Sequence, residues 1–264
     1  MTNAMRSLAF LALLSIVLPS GIGLARAQST PVPGTPVLYR LQLLQAAPGR
    51  LLELIDVVKK HGAVAAAGGE AAPVIMRHSQ GDHWDLAVLW PMGDWGGYFE
   101  TARAAKREAA ARASGSTTVG LARQLDPLVS WREDLYLRGP SVDALQAHVK
   151  DAGLMHYEMM QALAGKREAL IEERHMENAF NRHRGRGETL VFVRESGAAW
   201  DVVTLGVYIN WQHYAESELI PREVSEAAAK KAGFTGADGV GPYMRTLIST
   251  HRDTLGPPIL IPSP

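Results

Sequence analysis

Apolar and polar residues alternate along Tyr39-Arg-Leu-Gln-Leu-Leu-Gln, as they do in a half-buried strand. Pro48-Gly49-Arg50 then opens a stretch in which Leu51, Leu54, Ile55 and Val58 recur at helical spacing, and Gly62 is the predicted stop. The Ala/Gly-rich run Ala63 to Ala72 reads as a loop. Val74 to His78 and Trp84 to Trp90 read as a hairpin turning near Gln80-Gly81. Asp94 stands where an N-cap belongs, an Ala-rich helix runs toward Gly115, and Leu128 to Leu137 supplies a last strand.

The same order returns 116 residues later. Trp84-Asp85 matches Trp200-Asp201, Gln45-Ala46 matches Gln161-Ala162, and Gly49, Leu54-Ile55, Gly81, Trp95 and Tyr98 match Gly165, Leu170-Ile171, Gly197, Trp211 and Tyr214. Asn210 takes the place of Asp94. In the second copy Pro221 should break the long helix, and Met244 to Asp253 is the predicted last strand. The pattern is β-α-β-β-α-β twice, so the predicted class is α+β with two tandem ferredoxin-like units. Their bounds are 37–137 and 153–255, joined by a connector at 138–152 and followed by a Pro-rich tail at 256–264.

The N-terminus has a different pattern. Arg6 precedes a continuous apolar run from Leu8 to Leu18, and Ala25-Arg26-Ala27 has the small-x-small form of a cleavage site. The run is shorter than the roughly 20 residues that span a bilayer. Residues 1–27 are therefore expected to be a signal peptide and 28–36 a linker, which makes the mature protein periplasmic or secreted, with no stable membrane insertion. The 264 residues include 27 Lys+Arg and 27 Asp+Glu, so bulk charge does not favour a nucleic-acid partner. Zero cysteines exclude disulfides, thiolate catalysis, Cys-ligated zinc and iron-sulfur clusters. The chain has no G-x-S-x-G, P-loop, strand-borne G-x-G-x-x-G or H-E-x-x-H motif.

The stretch Tyr39…Pro48-Gly49-Arg50…Gly81…Trp84-Asp85, followed by an Asp- or Asn-capped helix, resembles the dimeric α/β-barrel superfamily. It is closest in pattern to the NIPSNAP-like and antibiotic-biosynthesis-monooxygenase-like members, over both halves of the mature chain. The resemblance implies two four-stranded antiparallel sheets facing each other, helices outside and a cavity between the sheets. The tandem copies would form the barrel within one chain, as in chlorite dismutase-like haem proteins. It also puts His213, beside Trp211, roughly where such proteins hold a haem-ligating histidine.

Strand alternation names the candidate site. On the first strands, Tyr39, Leu41 and Leu43 (second copy Met155, Tyr157 and Met159) oppose Arg40, Gln42 and Leu44 (His156, Glu158 and Met160). The apolar set is expected beneath the helices and Arg40, Gln42, His156 and Glu158 inside the barrel. Trp84, Trp90, Trp200 and Thr204 are expected on the cavity side, opposite Ala87, Leu89, Val203, Leu205 and Val207. His156 and Glu158 point the same way two residues apart, a pair able to share a substrate proton or hold a metal, and are the candidate catalytic residues. Arg40, Gln42, Trp84, Trp90, Trp200, Arg132 and Arg252 are the candidate ligand-binding residues, the two arginines occupying matching places in the last strands. Trp84 and Trp200 suit core packing as well as stacking on an aromatic ligand. Glu172-x-x-His175 has a di-iron spacing but lacks a matching set on a partner helix.

Together these features predict an exported protein that binds a small aromatic or polycyclic molecule. It would act as a cofactor-independent oxygenase or isomerase, or as a non-catalytic envelope binding or scaffold protein, with no resident cofactor or metal. A homo-oligomer is compatible with either reading.

Overall fold

A computed structural model describes residues 36–261; the predicted leader, nearly all of the linker and the last three residues of the tail lie outside them. The first half runs β1 (Val37–Ala46), α1 (Leu51–Ala67), β2 (Val74–Arg77), β3 (Leu86–Gly93), α2 (Trp95–Tyr98), α3 (Thr101–Ala113), α4 (Thr118–Arg123) and β4 (Val129–Gly139). Helix α5 (Val142–Val149) occupies the connector. The second half runs β5 (Leu154–Ala162), α6 (Arg167–His183), β6 (Leu190–Gly197), β7 (Val202–Tyr208), α7 (Trp211–Ala215), α8 (Arg222–Lys231), α9 (Val240–Arg245) and β8 (Ile248–Gly256), and β9 (Pro258–Ile259) follows. The fold is α+β, with two tandem ferredoxin-like units forming an antiparallel α/β barrel.

The two halves repeat their stabilising contacts as well as their order. Asp85 accepts the Ala46 amide at 2.7 Å and Asp201 accepts that of Ala162 at 2.9 Å, each beside a register shift in the first strand. Asp94 caps α2 by accepting from the Gly97 amide and Asn210 caps α7 by accepting from the His213 amide, both at 2.9 Å. Pro221 separates α7 from α8, as its missing N–H requires.

The sheet order is β8-β5-β7-β6-β4-β1-β3-β2-β9, with β4 and β6 joining the halves. Only Pro257 separates β8 from β9, so this last segment pairs with β5 along one edge and with β2 and the following Ser79 and Gln80 along the other. The sheet thus closes on itself. At each seam a glycine with positive φ, Gly81 (122°) or Gly197 (98°), lies so near the opposing backbone that a Cβ would strike Asp253 and Thr254 or Asp134 and Leu135.

Closure decides which strand face is inside. One continuous cluster holds Tyr39, Leu41 and Leu43 together with Met155, Tyr157, Met159, Phe192, Val203 and Leu205, and α5 adds Leu145. The apolar set therefore fills the barrel. Arg40, Gln42, His156 and Glu158 lie on the outer face beneath the helices, the reverse of the expected arrangement. The interior of a barrel of about eight strands is just wide enough for side chains to fill, and here the buried apolar cluster occupies it. The outer face is mixed because the helices bring polar partners to it. Leu44, Ile75 and Val88 pack on Leu54 and Val58 of α1, while Met160 and Val202 pack on Leu170 of α6.

Two element bounds also differ from expectation. Helix α1 passes through Gly62 to Ala67, and a Cβ at Gly62 would crowd Pro73 and displace the tip of the Ile261 side chain. Met244 belongs to α9, whose first turn tolerates Pro242, so the last strand starts at Ile248.

Candidate functional site

Each half encloses a pocket between its strands and its long helix. The first, about 250 Å³, lies under α1, α3 and α4. Its floor is Arg40 and Gln42 of β1, Trp90 and Met92 of β3 and Arg132 of β4; His61, Tyr98, Leu121 and Leu125 form the walls. The second, about 190 Å³, is lined by His156 and Glu158 of β5, Glu177 and Asn181 of α6, Gly206 and Tyr208 of β7, and His213 and Tyr214 of α7.

The pockets share one frame. At the offset of 116, Arg40, Gln42, His61, Ala65, Trp90, Met92 and Tyr98 correspond to His156, Glu158, Glu177, Asn181, Gly206, Tyr208 and Tyr214, and every one of these lines its pocket. At the same offset, Val57, Val58 and Val88 in the first half correspond to Glu173, Arg174 and Thr204 in the second. The first pocket is thus aromatic and apolar with a few polar groups, and the second is predominantly polar, with Glu158, Glu177, Arg184, Arg186 and Glu188 in its lining.

In the first pocket Gln42 Oε1 accepts from Trp90 Nε1 at 2.9 Å and from Arg40 Nη2 at 3.0 Å, and the Arg40 guanidinium sits 5.9 Å from the Trp90 ring centre. Arg132 contacts Asp134 at 3.0 Å and Arg40 approaches the same carboxylate at 4.0 Å. Burial holds the His61 imidazole below the usual histidine pKa, so it is neutral at pH 7, and its Nε2 is 3.3 Å from Gln124 Oε1. Three arginines, Arg40, Arg107 and Arg132, against one carboxylate, Glu70, leave the lining positive.

In the second pocket Glu158 Oε2 accepts from Thr204 Oγ1 at 2.8 Å and meets Arg174 at 3.4 Å. Burial alone would raise the Glu158 pKa. His251, Arg174, His156 and the Thr204 hydroxyl outweigh it and hold the carboxyl well below its ordinary range. His156 Nε2 is 3.0 Å from Asp253 Oδ1; burial pulls its pKa down, but Asp253 and Glu158 more than compensate, so the net shift is upward. Arg174 is also held by Glu173 at 2.6 Å and Glu177 at 2.5 Å, and burial pushes the Glu173 carboxyl up to about 7.

The structure brings together Arg40, Gln42, Trp90 and Arg132, and separately His156 and Glu158 in the other pocket. Trp84 is fully buried in the barrel and Trp200 packs against the same cluster, donating to Glu133 at 3.1 Å, so neither lines a pocket. Arg252 is half exposed and lies 3.5 Å from Asp82, away from both pockets. Its expected pairing with Arg132 is one residue out of register. Arg132 faces Leu44 and His251 faces Met160, so the last strands correspond at an offset of 119 and the counterpart of Arg132 is His251. Sequence reasoning also missed His61, Tyr98, Glu177 and Asp253. The available signal was the repeat itself, carried from the strands onto the helices at the same offset. Glu172 and His175 are both exposed on α6.

No family model matches this sequence, and no curated protein matches it either. Solved structures do match in shape. An anthrone oxidase-like protein superposes with TM-score 0.53 at 9% identity, over 86% of this chain and 92% of that one. A protein from Fusobacterium nucleatum subsp. nucleatum, provisionally named a monooxygenase, gives 0.50 at 9% identity, over 86% and 93%. The chain has the dimeric α/β-barrel fold. This α/β barrel is built from two halves of one polypeptide. Among its described residues no helix is long and apolar enough to cross a membrane.

Haem, the cofactor suggested by His213, does not fit the pocket beside that residue. The pocket is about 190 Å³, below the ~300–1,000 Å³ of drug-sized ligand sites, and His213 Nδ1 accepts the Ile209 amide at 3.1 Å, which in the neutral ring leaves the proton on Nε2, the nitrogen that would have to ligate the iron.

Proposed function

We propose that the protein binds a small aromatic molecule carrying an acidic group, in the first pocket. The observation that carries this is the lining: Trp90, Tyr98, Leu121 and Leu125 form an apolar box large enough for one or two rings, and Arg40 and Arg132 stand at its floor. Aromatic faces supply area and stacking, while a guanidinium matches a carboxylate with two parallel hydrogen bonds. The leader read at residues 1–27 supports export, so the ligand would be met in the periplasm or outside the cell.

A second reading, turnover of that ligand without a cofactor, draws on His61. A neutral imidazole in an apolar pocket is a base able to take a proton from a phenolic or activated C–H group. Oxygenase- and isomerase-like reactions both begin with such a step, and the monooxygenase and anthrone oxidase names of the structural neighbours are compatible with it. His156 and Glu158, in the other pocket, are not positioned to serve this ligand.

Calorimetric titration with 2-naphthoate tests the binding claim. The expected result is one site per chain, with affinity reduced at least tenfold, about 1.4 kcal/mol, in both Arg40→Gln and Trp90→Leu, and weaker binding of uncharged naphthalene amide. Absence of binding, or affinity in both variants unchanged from that of the unsubstituted protein, would overturn it.

A further inference from the structure

Two residues that line the second pocket, His156 and Glu158, meet Asp253 and His251 of the neighbouring strand β8, a donor set that the first half does not have. Where the first half has Arg40, Gln42, Arg132 and Asp134, the second has His156, Glu158, His251 and Asp253. Both guanidiniums, which offer no lone pair, are replaced by imidazoles, which do, and the amide is replaced by a carboxylate. One donor atom from each of His156, Glu158 and Asp253 lies within 4.8 Å of the others.

His251 completes the group. Its side chain is nine-tenths buried (9% exposed), and its Nε2 has no hydrogen-bond partner and faces Glu158 Oε1 at 3.7 Å, while Nδ1 is 3.3 Å from Asp253 Oδ2. A buried ring nitrogen left without a partner is costly to the fold, and this one is aimed at the Glu158 carboxylate.

We propose that His156, Glu158 and Asp253, with His251 as the fourth donor, bind one divalent transition-metal ion. Imidazole with carboxylate and no thiolate selects the zinc, iron(II) and manganese(II) class. Arg174, which contacts Glu158, is also paired with Glu173 and Glu177 on its own helix. Together with the Thr204 hydroxyl it engages Glu158 Oε2, leaving Oε1 toward the histidines. Fixing a ligand carboxylate in this way is how surrounding groups tune a metal site. The first half, with valine at both of those positions, has the frame but not the supports. Asp253 is half exposed, which gives the ion a path from solvent. The proposal is independent of the ligand assigned to the first pocket and departs from the metal-free expectation of the sequence.

The test is titration of the full, chelator-treated chain with Zn²⁺ by calorimetry and with Co²⁺ by visible absorption. One ion per chain is expected, with Co²⁺ bands of a low-coordinate nitrogen and oxygen site. Asp253→Asn and His156→Gln should each weaken Zn²⁺ binding at least tenfold, whereas His175→Gln, on the exposed face of α6, should leave it unchanged. Circular dichroism checks folding, and Glu158→Gln replaces any variant that does not fold. No bound ion, unchanged affinity in the folded donor variants, or loss in His175→Gln would overturn the proposal and leave an internal ion-pair network only.

Discussion

Two tyrosine hydroxyls inside the barrel have opposite surroundings. Tyr39 donates to the Pro140 carbonyl at 2.7 Å, while the Tyr157 hydroxyl is buried without a partner. Removing a satisfied hydroxyl loses about 1 kcal/mol, and removing an unsatisfied one relieves a desolvation cost of similar size. Tyr39→Phe should therefore lower the melting temperature by about 2–4 °C and Tyr157→Phe should raise it by a similar amount. Scanning calorimetry of the two variants checks this, and shifts of the same sign would contradict it. At this scale the sequence is informative wherever both copies place a residue in the same structural role, as Asp85 and Asp201 do, or Asp94 and Asn210, each pair accepting from the equivalent backbone amide. It is silent where the copies diverge. His251 is an ordinary strand histidine until its register against Met160 shows it to be the counterpart of Arg132.

At the scale of elements, helix α3 is held over the first pocket by Glu70, on the loop after α1. Its carboxylate contacts Arg103 at 2.5 Å and Arg107 at 3.0 Å, and Arg107 also lies 4.1 Å over the Tyr98 ring. Burial would raise the Glu70 pKa, but the two arginines outweigh it and lower it below 4.5. A depressed folded pKa contributes stability that is complete above the unfolded value near 4.5 and is lost as pH falls through the folded value. Glu70→Gln should cost about 2 kcal/mol at pH 7, less than a fully buried pair because Arg103 is partly exposed. Urea unfolding should show that deficit shrinking below pH 4.5, and a deficit equal at pH 7 and pH 3.5 would contradict the linkage. The strands and long helices were legible from periodicity. Their ends were less so, because a close contact such as that of Gly62 with Pro73 and Ile261 exists only once the tail is in place.

At the scale of the molecule, alternation along a strand separates two faces and does not say which one a closed barrel turns inward. The seams at Gly81 and Gly197 make that choice, since a barrel of this size is filled by the purely apolar set and leaves the mixed set to the helices. The same inversion accounts for the two pockets: duplicated frames on the outer face are free to diverge, one toward aromatic walls and one toward charge. If ligand sites lie between sheet and helices, as proposed, a crystal structure of the protein soaked with 2-naphthoate shows it most directly. Density for the ring against Trp90 and Tyr98, with the carboxylate at Arg40 or Arg132, is the predicted result. Density inside the barrel among Tyr39, Tyr157 and Trp84, or a first pocket left without ligand while binding is saturated in solution, would contradict the account.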